Sequence, residues 1–191
     1  MRLFLAIDLP ASVRSSLEAC RRGVSEQGWP ATRWVRPETL HVTLVFLGDV
    51  DPALVPQIDR AVEPVFASRQ VMTGRLGSAG AFPLRGKVRV LWVGFETDGD
   101  LDDLHRDLES SLAAIDVVGA PLYEPEARPF QPHVTLARCR TPWLRADVDR
   151  WIDAFGDPGL SFPIRRGTLF ESHLSSSGPR YRAVSTYSLS R

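Results

Sequence analysis

The chain has 191 residues, of which 43% are hydrophobic and 24% are charged, with 23 acidic residues balanced by 23 basic ones. These are the proportions of an ordinary globular protein, and they exclude the global basic field of a typical nucleic-acid binder. No run of 18 apolar residues is present, and Asp8 and Pro10 interrupt the apolar N-terminus, so we expect neither a membrane span nor a signal peptide. Cys20 and Cys139 lie far apart without CxxC spacing, which favours a reduced, cytoplasmic protein.

Hydrophobic periodicity predicts alternating strands and helices in the first half of the chain. In chain order we expect a strand at 2–8, an amphipathic helix at 11–26, a short β-prone piece at 32–35, a strand at 40–47, a helix starting at Asp51-Pro52 that Pro64 ends or kinks, and a strand from residue 71 that leads into a glycine-rich loop at 77–83.

The second half repeats this order of elements. It predicts a strand at 88–95, a helix whose apolar stripe runs from Leu101 to Ile115, a strand from residue 133, a helix at about 143–155, and strands at 160–164, 168–174 and 181–189, the last two joined by the turn SSSGP. A duplicated α+β unit with two related lobes is the architecture that this repetition favours. The lobe boundary is expected near residues 83–88 and is soft, because the terminal strands could cross between lobes.

The tetrapeptide His-Val-Thr-Leu that begins at His41 is repeated unchanged from His133, 92 positions later. Each copy lies in a short run of β-branched and apolar residues, which predicts a buried strand. Side chains two apart in a strand share a face, so His41 lies beside Thr43, and His133 beside Thr135. The valines and leucines of both motifs then point into a core.

Two His-x-Thr pairs that meet in one cleft suit acid-base chemistry on an anionic substrate. The ordinary pKa of histidine lets one imidazole donate a proton near neutral pH while the other accepts one. A threonine hydroxyl on the same face can hydrogen-bond a charged oxygen. The pattern therefore predicts in-line displacement at a phosphodiester, provided that the two strands lie side by side.

The motifs resemble the paired His-x-Thr-x signatures of the two-histidine (2H) phosphoesterase superfamily. The segments RLFLAIDLP, RWVRPETLHVTLVFLGDV, GAFP, RPFQPHVTLAR and LFES resemble, in this order, the bacterial RNA 2′,3′-cyclic phosphodiesterases, also known as 2′-5′ RNA ligase-like proteins. The resemblance runs from residue 2 to about residue 189. It implies an α+β fold of two pseudo-symmetric lobes, with antiparallel sheets that face a central cleft and helices outside.

The resemblance also implies a reaction and a role for each motif residue. The family opens a 2′,3′-cyclic phosphate on RNA or a nucleotide to a 2′-phosphomonoester, without a metal or other cofactor. His41 is then the proton donor to the leaving ribose oxygen, His133 is the proton acceptor that activates water, and Thr43 and Thr135 hold the phosphate oxygens. Because both motifs have the same spacing, the spacing does not distinguish the acid from the base.

Arg138 matches an arginine that the family pattern HVTLAR places near the phosphate. Strict strand alternation, however, puts Arg138 on the face opposite His133. Either the strand twists or bulges after Thr135, or Arg138 is a surface charge. We favour the phosphate role.

The other histidines have simpler interpretations. His105 lies among charges in LDDLHRDLES, which predicts a solvated helix face, and His173, near a hairpin turn, is a minor candidate for the cleft. Alternation points Phe46 into a core. Four aromatic residues could stack on a nucleobase, although core packing is the default for each: Trp34, Phe46, Phe82 and Phe130.

No zinc-ligand spacing such as HExxH or paired CxxC is present, and the glycine-rich GRLGSAGAF lacks the phosphate-loop pattern GxxxxGK[ST]. We therefore expect a metal-independent, monomeric enzyme whose substrates are RNA ends or nucleotides with a 2′,3′-cyclic phosphate. Two alternatives stay open. One is another reaction of the same fold, such as 2′-5′ RNA ligation or opening of another small cyclic phosphate, and the other is a non-catalytic RNA- or nucleotide-binding module.

Overall fold

The computed structural model describes residues 1–25, 28–84, 86–125, 127–175 and 178–190, which form the expected α+β fold. The described strands are β1 (Arg2–Asp8), β2 (Thr32–Trp34), β3 (His41–Asp49), β4 (Met72–Phe82), β5 (Val88–Thr97), β6 (Asp116–Val117), β7 (Ala120–Pro121), β8 (His133–Trp143), β9 (Ser161–Ile164), β10 (Arg166–His173) and β11 (Arg180–Ser188). The described helices are α1 (Ala11–Ser25), α2 (Val55–Ala67), α3 (Leu101–Ala113) and α4 (Arg145–Phe155).

Nine of the described strands form one sheet in which the paired strands are antiparallel. The first half-sheet consists of β11, β10, β1 and β3, and the second consists of β8, β5, β4 and β9, with β2 also paired to β8. The halves meet at β3 and β8, where the strand ladder contains a single residue pair, Val42 with Val134. The two copies of the tetrapeptide therefore lie side by side at the centre of the sheet, as the proposed chemistry requires.

The chain does not fill the two half-sheets one after the other. It leaves the first half-sheet after β3, builds the second with β4, β5, β8 and β9, and returns to the first with β10 and β11. Between β5 and β8, the strands β6 and β7 pair with each other in a separate two-stranded sheet. The lobe boundary expected near residues 83–88 falls between β4 and β5, which are neighbours in the second half-sheet. The last two strands, β10 and β11, pair next to β1 in the first half-sheet.

The helices contribute apolar stripes to a common core. On α3, Leu104, Leu108 and Leu112 are fully buried at the predicted helical spacing. Helix α2 continues through Pro64 to Ala67, so this proline does not end it. Within the described ranges, no helix is both long enough and apolar enough to cross a membrane.

Two local predictions are wrong. The glycine-rich segment predicted to form a loop at 77–83 continues as β4 to Phe82, because its small residues let β5 side chains pack closely. A Cβ atom at Gly80 would lie 2.3 Å from the ring of Trp92. Trp143, expected in a helix, ends β8 instead, and the hairpin of β6 and β7 was not predicted. The predicted turn SSSGP lies partly outside the described residues.

Candidate active site

The antiparallel joint between β3 and β8 arranges the two motifs around a local twofold axis. In the register of the central valine pair, His41 lies across from Thr135 and Thr43 across from His133. All four of these side chains line one cavity of about 520 Å³. The structure therefore brings the four predicted motif residues together on one face of the sheet.

Each motif strand bulges at the last residue of the tetrapeptide. The residues on either side of Leu44 pair with consecutive residues of β1, and those around Leu136 pair with consecutive residues of β5. One extra residue reverses the strand alternation beyond it, so Phe46 and Arg138 both reach the cavity. Of the two alternatives that the sequence allowed for Arg138, the structure therefore has the bulge after Thr135, which places this side chain at the cavity. The prediction that Phe46 points into a core is wrong, since this residue is 43% exposed.

Both imidazoles are fixed by a backbone carbonyl two residues earlier in the chain. Nδ1 of His41 donates to the Thr39 carbonyl oxygen at 2.7 Å, and Nδ1 of His133 donates to the Gln131 carbonyl oxygen at 2.7 Å. A carbonyl can only accept, so Nδ1 carries the hydrogen in each ring. Nε2 is left in both halves as the atom that can exchange a proton with a ligand.

Burial lowers the pKa of both histidines. For His41 the pKa falls to about 4, chiefly through desolvation, against the raising effect of the hydrogen bond to Thr39, and nearby positive charge on His133 and Arg138 lowers it further. For His133 the pKa is also lowered, first by burial and then by Arg138. Both rings are neutral at pH 7 in the free protein, and a bound anion would raise the pKa of each.

Aromatic rings pack against each imidazole. Phe4 and Tyr181 lie 4.9 and 5.2 Å from His41, measured between ring centroids. His133 has two aromatic neighbours at 5.1 and 5.9 Å, respectively Phe82 and Trp92. Phe4 and Tyr181 also line the cavity, and sequence reasoning missed both because neither lies near a motif in the chain.

The cavity is strongly basic although the chain has no net charge. The lining residues that the structure describes include no carboxylate and four arginines: Arg2, Arg33, Arg36 and Arg138. Pairing of β2 with β8 brings Arg33 to the cavity. Arg36 follows β2 in the chain, and its Nη2 donates to the Pro179 carbonyl oxygen at 2.8 Å. Arg2 lies over the Phe46 ring, 5.1 Å from its centroid.

The remaining candidates from the sequence lie in different places. Trp34 lines the cavity, whereas Phe130 stacks on His105. The solvated helix face predicted for His105 is wrong, because its side chain is only 16% exposed. His173 is not among the lining residues, and its Nε2 lies 2.8 Å from Glu171.

Across the part of the chain that the structure describes, no group of three or more histidine, cysteine, aspartate or glutamate side chains is placed to hold a metal ion. Cys20 and Cys139 are both free thiols. Burial raises the pKa of Cys139 to about 11, so this thiol stays protonated at neutral pH and is a poor nucleophile.

Residues 9–174 match the family model of the 2′-5′ RNA ligase superfamily, and the chain therefore belongs to this superfamily of 2H phosphoesterases. An RNA 2′,3′-cyclic phosphodiesterase of Thermus thermophilus is 31% identical over 193 residues, which cover 99% of this chain and 90% of that protein. An RNA 2′,3′-cyclic phosphodiesterase of Methanothermobacter thermautotrophicus is 27% identical over 190 residues, covering 99% of each chain.

Solved structures share the whole fold. A crystal structure of a Thermus thermophilus protein aligns with a TM-score of 0.80 at 29% identity, over 99% of this chain and 98% of that one. The crystal structure of E. coli LigT complexed with 3′-AMP aligns with a TM-score of 0.74 at 27% identity, over 100% of this chain and 98% of that one. The similarity thus spans both half-sheets.

Proposed function

We propose that this protein is an RNA 2′,3′-cyclic phosphodiesterase, which hydrolyses the cyclic phosphate at RNA or nucleotide ends to a 2′-phosphomonoester. The observation that carries this proposal is the twofold arrangement of two His-x-Thr pairs around a basic cavity. The full-length relatives with that name support the same activity.

The reaction that we propose is an in-line displacement at phosphorus. His133 accepts a proton from water through Nε2 as the water oxygen attacks, and the bond from phosphorus to the 3′-oxygen breaks. His41 donates a proton from Nε2 to that leaving oxygen, which becomes the 3′-hydroxyl. The register that sets each histidine across from the other motif's threonine supports opposite placement of acid and base around one phosphate.

We assign Thr43, Thr135 and Arg138 to the non-bridging phosphate oxygens. The threonines share the histidine face, so their hydroxyls can donate to oxygens held between the two imidazoles. Arg138 adds a guanidinium, whose hydrogen bonds to a phosphate are charge-assisted and therefore stronger than those of a hydroxyl. Negative charge on these oxygens is stabilised as the new bond to phosphorus forms.

The donor role of His41 requires its protonation in the complex. With a pKa of about 4 in the free protein, His41 carries no proton at Nε2 at neutral pH. We infer that the negative charge of the bound phosphodiester raises this pKa, so that substrate binding is accompanied by proton uptake. Proton uptake on phosphate binding, measured by calorimetry in buffers of different ionisation enthalpy, is the expected sign of this coupling.

The activity is tested by incubating the protein with cytidine 2′,3′-cyclic phosphate in EDTA and identifying the product by phosphorus NMR. The 2′-phosphate is the expected product, and EDTA leaves the rate unchanged because the two imidazoles perform both proton transfers. Formation of the 3′-phosphate would reverse the orientation of the substrate. A lack of turnover would refute the enzymatic proposal and leave phosphate binding as the measurable property of the site.

A substrate with sulfur in place of the leaving 3′-oxygen distinguishes the acid from the base. A thiolate leaves without protonation, so the variant that lacks the proton donor should recover much of its rate on this substrate. We expect recovery in His41→Ala and none in His133→Ala. The opposite pattern would exchange the two roles.

We also propose that the whole chain works as a single bilobal domain and as a monomer in the cytoplasm. Each half-sheet supplies one histidine to the cavity, and every proposed site residue comes from the same chain. The two free cysteines are in keeping with a reducing compartment. Light scattering after gel filtration tests the monomer, with a mass near the 21.2 kDa of one chain as the expected value.

A further inference from the structure

A histidine outside the cavity contacts the backbone of the first motif. His105 lies on α3, and its Nδ1 is 2.9 Å from the carbonyl oxygen of Leu44. Because a carbonyl can only accept, Nδ1 of His105 carries the hydrogen and donates it. Leu44 is the bulge residue that directly follows Thr43, so this hydrogen bond holds the strand at the point where its alternation changes.

The second motif holds the equivalent carbonyl in another way. The Leu136 carbonyl oxygen accepts a hydrogen bond of 2.9 Å from the backbone N–H of Val35, next to β2. A backbone group thus serves the bulge of β8, while the bulge of β3 depends on the side chain of His105. Removal of the imidazole leaves the Leu44 carbonyl without this donor, a loss that has no counterpart in the second half.

The same imidazole contacts the approach to the second motif. Its ring stacks on Phe130, with 3.9 Å between centroids and 12° between ring planes. The next residue, Gln131, provides the carbonyl oxygen that accepts from Nδ1 of His133. One side chain therefore lies between the strand that carries His41 and the segment that orients His133.

A small polar network lies next to the His105 ring. Its Nε2 lies 3.4 Å from Oε2 of Glu109, one helical turn further along α3. Oε1 of Glu109 accepts a hydrogen bond of 2.6 Å from the hydroxyl of Tyr123. The side chains of His105 and Glu109 are only 16% and 14% exposed, so this network is largely shielded from water.

We propose that His105 is a positioning residue, which sets the first motif against the second from the outer side of the sheet. The strand ladder between the motifs has only one residue pair, Val42 with Val134, and gives little control over the distance between the catalytic imidazoles. His105 adds one contact to the first motif and one to the segment that leads into the second, and its hydrogen bond to Leu44 is the dominant one. The kinetic part of the test rests on the proposed phosphodiesterase activity.

Two substitutions separate the hydrogen bond from the ring stacking. His105→Phe keeps a ring against Phe130 but has no donor for the Leu44 carbonyl, and we expect kcat on cytidine 2′,3′-cyclic phosphate to fall roughly tenfold or more, with KM changed less than about threefold. His105→Asn places an amide N–H close to the position of Nδ1. We expect its kcat to stay within about threefold of the wild-type value.

Leu112→Val is the matched control, because Leu112 is fully buried on the same helix but is not a cavity-lining residue. The ring proton NMR signals of His41 and His133 are compared in the free proteins. We expect them to shift in His105→Phe and to keep their wild-type positions in Leu112→Val. If both variants lose similar amounts of kcat at similar Tm, or if His105→Phe leaves the ring signals unchanged, the positioning role is refuted.

Equal losses of kcat in the asparagine and phenylalanine variants would overturn the role given to the Leu44 hydrogen bond. The NMR comparison needs no substrate. It therefore tests the positioning role of His105 even if the wild-type protein does not hydrolyse cyclic phosphates. Failure of the proposed function and failure of this inference are thus distinguishable.

Discussion

The half of the cavity built around His41 and the half built around His133 follow the same backbone plan. Each motif strand places its histidine and threonine on the cavity face and bulges at the leucine that follows. In each half, Nδ1 of the histidine donates to a carbonyl oxygen two residues earlier, at 2.7 Å. The repeated tetrapeptide thus specifies a repeated backbone conformation as well as repeated reactive groups.

The side chains placed by this plan are different in the two halves. The residue that the bulge turns into the cavity is Phe46 in one half and Arg138 in the other. Tyr181, with a phenolic hydroxyl, packs against His41, whereas the rings beside His133 are Phe82 and Trp92. A substrate with a charged phosphate on one side and an aromatic base on the other is itself asymmetric, which matches this difference between the two halves of the cavity.

Substitution of the two histidines tests most directly whether both halves of the cavity take part in the reaction. Because each is proposed to make one proton transfer, His41→Ala and His133→Ala should each lower kcat by about 10³- to 10⁴-fold. Steady-state hydrolysis of cytidine 2′,3′-cyclic phosphate measures both effects. A loss below about tenfold in either variant would show that this half takes no part in the chemistry.

Phe46 and Arg138, the residues that the bulges turn into the cavity, should contact different parts of the substrate. Arg138→Ala removes charge-assisted hydrogen bonds to the phosphate, and we expect about a 100-fold loss of kcat/KM. Phe46→Ala removes a ring on which a base can stack, and we expect KM to rise about tenfold. Methyl riboside 2′,3′-cyclic phosphate has no base, so only the arginine variant should be impaired on it. Equal impairment of both variants on this substrate would contradict a base contact at Phe46.

Acid should destabilise the protein through His41. The folded-state pKa of about 4 lies below the ordinary 6.5, so the unfolded chain binds the proton first as the pH falls. This contribution to the free energy of unfolding is fully present above about pH 6.5 and is lost progressively towards pH 4. At pH 5 the loss amounts to about 2 kcal/mol. Urea unfolding at pH 8 and pH 5 should show a smaller loss for His41→Gln than for the wild-type protein. An identical loss would show that the buried imidazole does not set the slope.

The smallest effects are expected at the threonines. Thr43→Val and Thr135→Val keep the β-branched shape but remove one hydroxyl each, and we expect about a tenfold loss of kcat/KM for each variant. Because the two hydroxyls lie across from opposite histidines, the double variant should lose about the product of the single losses. A double loss equal to one single loss would mean that only one threonine contacts the phosphate.

The sequence was sufficient to predict the motif strands, their shared face and the order of elements, because period-two alternation is a local property. The positions of the two bulges could not be predicted from the sequence, because the pattern His-Val-Thr-Leu is that of an uninterrupted strand. For that reason Phe46 was assigned to the core, and Arg138 kept two interpretations. His105 was misassigned because its partner, the Leu44 carbonyl, lies 61 residues away in the chain.

The basic character of the cavity also escaped the sequence. Arg33 lies in a three-residue strand whose pairing with β8 could not be inferred from local pattern, and Arg2 and Arg36 come from other segments. Overall charge balance says nothing about such clustering. Only the long-range pairing of strands shows that four arginines converge on one cavity.

The interlaced path of the chain has a practical consequence for protein engineering. A cut in the hairpin between β4 and β5 would give two fragments, and each half-sheet contains strands from both of them. Neither fragment can complete a half-sheet alone, so the two must reassociate before the motif pair can form. A split version opened at this hairpin is therefore expected to act as a complementation reporter, silent as separate pieces and active when attached partners bring the pieces together.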